Sequence, residues 1–372
     1  MKSGFIRRGL IGALALSVHL TAEAFQLRYV GETSIPTGQK FQKTVIGGLS
    51  GIAWKDKALY AVSDDKGKVG EPRFYKFDLK IAQGKVTLTP QKVFFITNLP
   101  AVGDKKPSLD AEGLIALKSG EFLISTEGNN NAKPREMPGV MRVSSTGKWL
   151  AELPVPAKFL PELTGQQKKG IQNNAAFEGL TSFDDERVLF VGTEGALQQD
   201  IFSQRNENEV WTRILKYEMK TDKNYQAVTE YAYRIEPFSK NEQGQEVFRG
   251  VSEILALSEK KLLVMERGVR LSSAHLWTQT IGLYVADLSG ATDVSAYESL
   301  LEKKFTGVTK TKILDFETDL TKYRPGKVVQ NFEGLAWGPA LPDGRRSLLV
   351  MSDNNFSKKE TTELLVFAVE GE

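Results

Sequence analysis

The sequence predicts an all-β fold, specifically a β-propeller, from three observations. A strand–turn–strand motif recurs five times along the 372 residues. Further strand-like stretches, in which apolar and polar residues alternate as in half-buried strands, lie between these copies. Strong helical patterns are scarce. Several strands per repeat without helices are typical of a propeller, in which each repeat forms one blade.

The repeat is a hairpin with a common pattern. Each copy begins with an acidic residue or Ser, continues through a short strand, a polar turn and a second strand, and ends at an acidic residue. The copies run from Leu49 to Asp65, Asp110 to Asn130, Ala176 to Gly195, Val251 to Gly268 and Gln330 to Ser357. Five imperfect copies of one hairpin constitute an internal repeat.

The number of blades follows from length. At roughly 40–50 residues per blade, the chain favours six blades, with five or seven as alternatives. The stretch FQLRYV, which begins at Phe25, and the C-terminal stretch TELLVFAVE are expected to pair in one blade and so close the ring. No Pro-, Gly- or Ser-rich linker divides the chain, so residues 25–372 are predicted to form a single domain. A closed ring has no free edges that need a partner, and a monomer is expected.

The N-terminal residues have the pattern of an export signal. Lys2, Arg7 and Arg8 precede an apolar run from Leu10 to Leu20 that is too short for a stable membrane anchor. Residues 1–24 are therefore predicted to be a secretory signal peptide that is cleaved after Ala24. The chain has no cysteine, which excludes a lipidated-cysteine anchor. The mature protein is expected to be periplasmic or secreted and not to bind a membrane.

Composition excludes several classes of function. The formal net charge is +3 with interspersed signs, which gives no basis for binding nucleic acid. The chain has two histidines, and His19 lies in the predicted signal peptide, so His275 alone remains after cleavage. Ser-His-Asp and Cys-His catalysis and a catalytic zinc site all rely on His or Cys side chains. These chemistries are therefore not expected.

The acidic residues of the repeat are predicted to meet at one end of the propeller. In an antiparallel hairpin, the residue before the first strand and the residue after the second lie at the same open end. The leading acids are Glu112, Glu178, Glu253 and Glu333, with Ser50 in the first copy, and the trailing residues are Asp64, Glu127, Glu194, Glu266 and Asp353, followed by Asn354. Crowded buried carboxylates are costly unless cations neutralise them or some are protonated. Ligands that are all oxygens suit Ca²⁺, in preference to Mg²⁺. For any single Glu, capping of backbone amides at a turn is the alternative interpretation.

The motifs DAEGLIAL, FEGLTSF, SEILAL and NFEGLAWGPALPDGRRSLLVMSDNNF resemble the phytase-like family, labelled "esterase-like activity of phytase", over about Phe25 to Val369. The resemblance implies an exported propeller that hydrolyses phosphoric esters with the help of a metal, by analogy with calcium-dependent phytases. The R-H-G-x-R-x-P motif of histidine-type phytases is absent, which leaves the metal-dependent route. Ser50 departs from the Glu of the other copies, so metal binding there is in doubt.

The resemblance implies roles for the repeated residues. Glu112, Glu178, Glu253 and Glu333 would be inner ligands or general bases, while the trailing residues with Asn354 would bind the metal. The expected substrate is a small anionic molecule or ester. Basic residues near the motif ends are candidates for binding it, because guanidinium and ammonium groups bind phosphate. These candidates are Arg249, Arg267, Arg270 and Lys327.

Two other functions fit the same pattern. A lactonase of the gluconolactonase type also uses a metal at the mouth of a propeller. A non-catalytic propeller would keep calcium for stability and use its polar loops to bind a ligand. Basic residues that converge on the metal favour the phosphoesterase, whereas basic residues dispersed around the rim favour the lactonase or the binding protein.

Overall fold

The computed structural model describes residues 25–100, 108–201, 209–221, 224–301 and 303–371. The predicted signal peptide lies outside these residues. Within these ranges, no helix is long and apolar enough to cross a membrane. The secondary structure is almost entirely β, with three short 3-10 helices at Ala157–Phe159, Gln198–Asp200 and Leu320–Lys322.

The strands form five blades, each a four-stranded antiparallel sheet, apart from an extra short strand in the fourth. Strand β1 (Gln26–Ile35) comes first, followed by a small hairpin of β2 (Lys40–Phe41) and β3 (Thr44–Val45). Blade 1 contains β4 (Leu49–Lys55), β5 (Ala58–Ser63), β6 (Arg73–Ala82) and β7 (Lys85–Phe95). Blade 2 contains β8 (Ala111–Ala116), β9 (Phe122–Thr126), β10 (Gly139–Val143) and β11 (Trp149–Glu152).

The remaining three blades follow in chain order. Blade 3 contains β12 (Phe177–Phe183), β13 (Val188–Thr193), β14 (Trp211–Thr221) and β15 (Asn224–Arg234). Blade 4 contains β16 (Lys240–Asn241), β17 (Gly244–Ser258), β18 (Lys261–Leu271), β19 (Trp277–Asp287) and β20 (Thr309–Asp315). Blade 5 contains β21 (Asn331–Trp337), β22 (Ser347–Asp353) and β23 (Thr362–Glu370), with β1 as its outer strand.

The blades are arranged in a closed ring. The inner strands contact one another in the cyclic order β4, β8, β12, β17, β21 and back to β4. The buried apolar residues fall into five main clusters, and each cluster lies between two successive blades. Leu49 of blade 1 and Leu349 of blade 5, for example, belong to the same cluster. Burial between neighbouring sheets, rather than within one sheet, therefore holds the ring together.

The propeller prediction and the closure of the ring are confirmed, but the blade number is five rather than six. Strand β1 pairs with β23 along its length, from Gln26 opposite Glu370 to Ile35 opposite Thr362. The prediction from chain length gave too many blades because many residues lie in long strands and connections. Strand β17 alone has 15 residues, and the connection between β19 and β20 runs from residue 288 to residue 308.

Glycines allow the inner strands to approach closely around the axis. A Cβ atom on Gly113 of blade 2 would lie 2.7 Å from the carbonyl oxygen of Glu178 in blade 3. A Cβ atom on Gly179 of blade 3 would lie 2.6 Å from the backbone nitrogen of Ile254 in blade 4. The equivalent glycines of blades 1 and 5, Gly51 and Gly334, meet the backbone of the next blade in the same way. No side chain fits at these four positions unless the backbone of the neighbouring blade moves.

Gly179→Ala should therefore destabilise the protein by about 2–3 kcal/mol, because the new methyl group overlaps backbone atoms of the next blade. The matched control is Gly139→Ala in β10, where a Cβ atom would meet nothing within 4 Å. Chemical denaturation followed by fluorescence measures both free energies of unfolding. Equal stability of the two variants would contradict this account of the axis.

Candidate metal centre at the mouth of the propeller

A β-bulge in the inner strand of every blade sets the position of the leading residues. The pairing between the first two strands of each blade shifts register just after Leu49, Ala111, Phe177, Val251 and Phe332. The residues that follow these positions are Ser50, Glu112, Glu178, Ser252 and Glu333. A bulge leaves a residue out of the ladder and turns its side chain. The same local irregularity thus places one leading side chain per blade at the same end of the ring.

The trailing residues follow from the same pairing. The partners of the five residues before the bulges are Ser63, Thr126, Thr193, Glu266 and Ser352. The residues immediately after these partners are Asp64, Glu127, Glu194, Arg267 and Asp353. Four blades therefore supply a trailing acid, and blade 4 supplies an arginine.

The register predicted for blade 4 is wrong by one residue. The sequence predicts Glu253 as the leading acid and Glu266 as the trailing acid of this blade, whereas the ladder pairs Val251 with Glu266 and Glu253 with Met265. Glu253 occupies the position that glycine holds in the other blades. Because neighbouring residues of a strand point to opposite faces, this shift moves the side chains of Glu253 and Glu266 away from the mouth.

Seven of the ten leading and trailing residues line a cavity of about 170 Å³, whereas Ser50, Ser252 and the predicted metal ligand Glu194 do not line it. Six carboxylates of the described residues line it, together with two cationic side chains and four amide side chains. The lining residues are Asp64, Lys66, Glu112, Glu127, Asn174, Glu178, Arg267, Gln279, Asn331, Glu333, Asp353 and Asn355. The cavity has the all-oxygen acidic character that the sequence predicts for the mouth.

Two groups of carboxylates are close enough to hold a cation. Ligand oxygens of Glu112, Glu127 and Glu178 all lie within 4.8 Å of one another. Oxygens of Asp64, Asp110 and Glu112 satisfy the same criterion. Glu112 belongs to both groups, so two cations held here would share one carboxylate.

Unpartnered oxygens show that these groups suit a cation. No hydrogen-bond donor among the described residues reaches Oδ1 of Asp64 or Oδ1 of Asp110, although both atoms are buried. Buried polar atoms without partners are rare because each costs its full desolvation energy. Carboxylate oxygens of this kind are the ligands that Ca²⁺ prefers. The donor set present therefore fits a hard divalent cation.

The two cationic side chains at the cavity are held by acids. Nη2 of Arg267 donates to Oε1 of Glu194 at 2.9 Å, and its Nε lies 3.4 Å from Oε1 of Glu333. Nζ of Lys66 lies 2.9 Å from Oδ2 of Asp110 and donates to the side-chain oxygen of Asn174 at 3.0 Å. Acidic partners hold both side chains in place, and both present positive charge to the cavity.

Burial dominates the electrostatics of the acids. It raises the pKa of Glu127 to about 8, with repulsion from Asp110 and Glu194 adding to the shift and the Ala176 amide opposing it. Burial raises the pKa of Glu194 to about 7, a shift that the Arg267 guanidinium limits. Burial likewise raises the pKa values of four further acids well above their ordinary range, with added repulsion from neighbouring acids. These are Asp64, Glu112, Glu178 and Asp353.

Glu333 is oriented by hydrogen bonds. The Ser50 hydroxyl donates to its Oε2 at 3.3 Å, and the Asn331 side-chain amide donates to its Oε1 at 2.9 Å. Together with the Arg267 contact, these interactions hold the carboxylate from three directions. Ser50, the apparent exception in the repeat, therefore supports an acid of the neighbouring blade.

Three residues predicted from sequence for the metal or for catalysis point elsewhere. Glu253 accepts hydrogen bonds from the backbone amides of Leu180 at 2.9 Å and Ile254 at 3.0 Å. Its carboxylate is therefore used between blades 3 and 4. Glu266 accepts from the Tyr233 hydroxyl at 2.8 Å, between blades 3 and 4. Oδ1 of Asn354 accepts hydrogen bonds from the backbone amides of Gly48 and Phe356, so this oxygen is already occupied by backbone donors.

The four predicted substrate-binding cations are not brought together. Arg267 lines the cavity, and Arg249 lines a neighbouring cleft. Arg270 pairs with Glu317, and Lys327 pairs with Glu32 on the outer strand β1. Arg270 and Lys327 are therefore structural or surface residues outside the cavity.

Several residues of the cavity, and Asp110 beside it, were not predicted from the sequence, although the repeat marks some of their positions. Asp110 and Asn331 occupy the same position in their blades, two residues before Glu112 and Glu333. Lys66 follows Asp64 by two residues. Asn174 and Gln279 lie outside the repeated motifs, so no pattern in the sequence marks them.

In the absence of divalent cations, the protein should lose stability as pH rises from about 5 to about 8. Over this range folded Glu127 and Glu194 still hold protons that the unfolded chain has released, so the free energy of unfolding falls with pH. Thermal unfolding in EDTA at a series of pH values measures the slope. Glu127→Gln, which cannot titrate, should reduce it, and a melting temperature that rises with pH in EDTA would contradict the prediction.

Glu178→Gln should have different effects on the stability of the metal-free protein and of the calcium-bound protein. In EDTA the variant should be at least as stable as the wild type, because the neutral amide replaces a carboxyl group whose ionisation is opposed by burial and by Glu194 and Glu127. Excess Ca²⁺ at about 100 times Kd should stabilise the wild type by about 2.7 kcal/mol. The variant should lose most of this gain.

The control for this comparison is Glu259→Gln, whose carboxylate is 54% exposed and pairs with Lys216 away from the cavity. It should keep the full calcium response. An unchanged calcium response in Glu178→Gln would exclude Glu178 from the metal centre.

One curated protein is similar to part of this chain. An uncharacterized secreted protein of Arthroderma benhamiae is 23% identical over 229 residues, which is 55% of this chain and 43% of that relative. The chain thus spans less than half of that relative's length. No activity is attached to the relative by its name, and it is similar to this chain only in part.

Solved structures show weak overall similarity. The catalytic domain of a GH62 α-L-arabinofuranosidase from Coprinopsis cinerea is 7% identical with a TM-score of 0.46, covering 92% of this chain and 97% of that one. An exo-β-1,3-galactanase from Phanerochaete chrysosporium is 10% identical with a TM-score of 0.43, covering 90% and 64%. Similarities at this level carry no argument about activity.

A family model covers most of the chain. The model described as "Phytase-like: Esterase-like activity of phytase" matches residues 44–356, a range that includes all five bulged hairpins and the whole cavity. The resemblance in the repeated motifs is therefore confirmed. The chain belongs to the phytase-like family, the family described by the esterase-like activity of phytase.

Proposed function

We propose that this chain is an exported, Ca²⁺-dependent hydrolase of phosphoric esters. One observation carries the proposal: of the two groups of carboxylates that share Glu112, all members except Asp110 line the same cavity as the cationic side chains of Lys66 and Arg267. Acids suited to a divalent cation and cations suited to a phosphoryl group occur together at one mouth. Membership of the phytase-like family supports the reaction class.

Each part of the cavity has a proposed task. Ca²⁺, when bound, would neutralise phosphoryl oxygens and lower the pKa of a water molecule. Glu112, Glu127 and Glu178 would hold the cation, with Asp64 and Asp110 forming the second group. These acids would also exclude other anions from the cavity when no cation is present.

The cations and the remaining acids would orient the substrate. Arg267, fixed by Glu194 and Glu333, would contact the phosphoryl oxygens, since guanidinium matches their geometry. Lys66 would contact them from blade 1. Glu333, oriented by Ser50 and Asn331, would accept the proton of the attacking water.

Export is supported by two independent observations. Residues 1–24 have the charge and apolar pattern of a signal peptide, and strand β1 begins directly afterwards, at Gln26. The similar protein of Arthroderma benhamiae is named as secreted. A periplasmic or extracellular location would also give the site access to calcium.

The distribution of the other basic residues favours a second candidate. Arg249, Arg270 and Lys327 are engaged by acids away from the cavity, so only part of the predicted basic set converges. Dispersal of this kind fits a metal-dependent lactonase or a calcium-stabilised binding propeller. The lactonase would hydrolyse a lactone and the binding propeller would hydrolyse nothing, so substrate assays separate both from the phosphoesterase.

The test is calcium-dependent hydrolysis by the purified mature protein. Phytate, p-nitrophenyl phosphate, a phosphodiester and a simple lactone are compared with and without EGTA, for wild type, Glu333→Gln and the control Glu259→Gln. Phosphate release that EGTA abolishes and that Glu333→Gln lowers by at least about 100-fold is expected. Lactone turnover alone would favour the lactonase. The absence of any turnover, together with a large EGTA-induced fall in Tm, would favour the binding propeller.

A further inference from the structure

A second, larger cleft opens beside the candidate metal centre, on the same end of the propeller. It has a volume of about 520 Å³, within the range of small-molecule sites, and lies between blades 3 and 4. Its lining includes Val210 and Trp211 of blade 3, Phe248 and Arg249 of blade 4, and Phe238 from the connection between the two blades. None of these side chains belongs to the metal centre.

The cleft and the cavity share a wall. Asn174 lines both of them. The guanidinium carbon of Arg267, at the cavity, lies 5.7 Å from the centre of the Phe248 ring, in the cleft. Gly195, which lines the cleft, directly follows Glu194, the partner of Arg267. A molecule with its phosphoryl group at Arg267 would therefore have its remaining part directed along Phe248.

The apolar character of the cleft comes from three aromatic side chains. Trp211, Phe238 and Phe248 are each only partly buried, so they keep surface available to a ligand. Trp211 is held in place by an edge-on contact with Phe305, with 5.1 Å between ring centroids, and by a hydrogen bond from its Nε1 to Glu209. Aromatic rings that are fixed in this way provide flat surfaces for stacking.

The charged groups of the cleft are almost fully used by the protein itself. Both carboxylate oxygens of Asp200 accept hydrogen bonds from Arg213. Arg249 pairs with Glu246 and lies 3.6 Å from Glu266, but its buried Nε has no acceptor. The Arg249 side chain is only 9% exposed and its Nε has almost no accessible surface, so Arg249 is enclosed by its acidic partners and is not a hydrogen-bond donor to a ligand.

From these observations we infer that the cleft binds a planar aromatic ring, as the alcohol part of the ester. This inference rests on the proposed function for the position of the phosphoryl group. The lining has three aromatic faces and three amide side chains, those of Gln172, Asn173 and Asn174, while its charged residues Asp200 and Arg249 are paired within the protein. Stacking on the aromatic faces is the main interaction that the cleft offers to a ligand. The substrate class is thus an aryl or heteroaryl phosphoric ester, with its ring on Phe248.

The first test measures binding to the cleft without any reaction. Isothermal titration calorimetry with 2-naphthol, which has a ring and an oxygen but no phosphoryl group, is carried out on wild type, Phe248→Ala and Trp277→Ala. Trp277 is an aromatic residue of blade 4 that is 63% exposed and does not line the cleft, so its variant is the matched control. Saturable binding that weakens about tenfold in Phe248→Ala and is unchanged in Trp277→Ala is expected.

The outcome of this test for the aromatic site does not depend on whether the proposed function is correct. Absence of saturable 2-naphthol binding, or equal affinity in wild type and Phe248→Ala, would overturn the aromatic site whatever the enzyme hydrolyses. Tighter binding of methyl glucoside than of 2-naphthol would also overturn it, in favour of a sugar. Binding of 2-naphthol in a protein that releases no phosphate would support the cleft while the proposed function fails.

The second test links the cleft to the metal centre. In the presence of Ca²⁺, phenylphosphonate should bind at least about tenfold more tightly than methylphosphonate, and Phe248→Ala should remove the difference. Equal affinity of the two phosphonates in the wild type would show that the ring does not reach the cleft, and would overturn the inferred substrate class.

Discussion

The close approach of five inner strands around a common axis is the constraint on which the rest of this structure depends. Four of the five blades place a glycine where the backbone of the next blade leaves no space for a side chain, and the residue before each glycine lies in a bulge. The bulge is what turns one leading side chain per blade toward the mouth. Packing at the axis and the position of the acids are therefore two results of a single local geometry.

Blade 4 differs from its neighbours at this point, and the difference places a positive charge among the acids of the mouth. Glu253 stands in the glycine position and caps backbone amides, while Arg267 takes the place of a trailing acid. Without Arg267, the acids of blades 3 and 5 would face one another without an intervening positive charge. Burial of like charges is tolerated in proteins only where protons, cations or paired side chains compensate for it, and this mouth uses an arginine and a lysine for part of that compensation.

Much of this arrangement could be predicted from the sequence, because hairpins with an acid at each open end leave a visible pattern. The strands of all five hairpins, the closing pair of terminal strands and the position of Glu112, Glu178 and Glu333 followed from that pattern. The register of blade 4 did not, since VSE and MER each contain an acid one residue away from the repeated position, and a bulge has no mark of its own in a sequence. The number of blades was overestimated for a similar reason. Long strands and connections have no sequence boundary that separates them from an additional blade.

Residues outside the repeat were beyond prediction for a different reason. Asn174 reaches the cavity, and Phe238 the cleft, from connections between blades whose course depends on packing rather than on local pattern. Trp211 and Phe248 lie in parts of β14 and β17 outside the repeated hairpins. The repeat specifies what the blades have in common. What distinguishes one propeller from another lies in the segments that break the repeat.

The pairing of β1 with β23 has a consequence for how the molecule acquires its fold. The outer strand of the last blade is supplied by the first strand of the chain, so the two partners are separated by more than 300 positions and no disulfide holds them together. Blades 1 to 4 are each built from a continuous stretch and can form as the chain emerges, whereas blade 5 must wait for its final strand. Until then β1 has an unpaired edge, and the inner strands of blades 1 and 5 have not met. The acids that blade 5 contributes, Glu333 and Asp353, are thus the last to join those of blades 1 to 3, so their share of the repulsion at the mouth arises only when the rest of the ring is already in place.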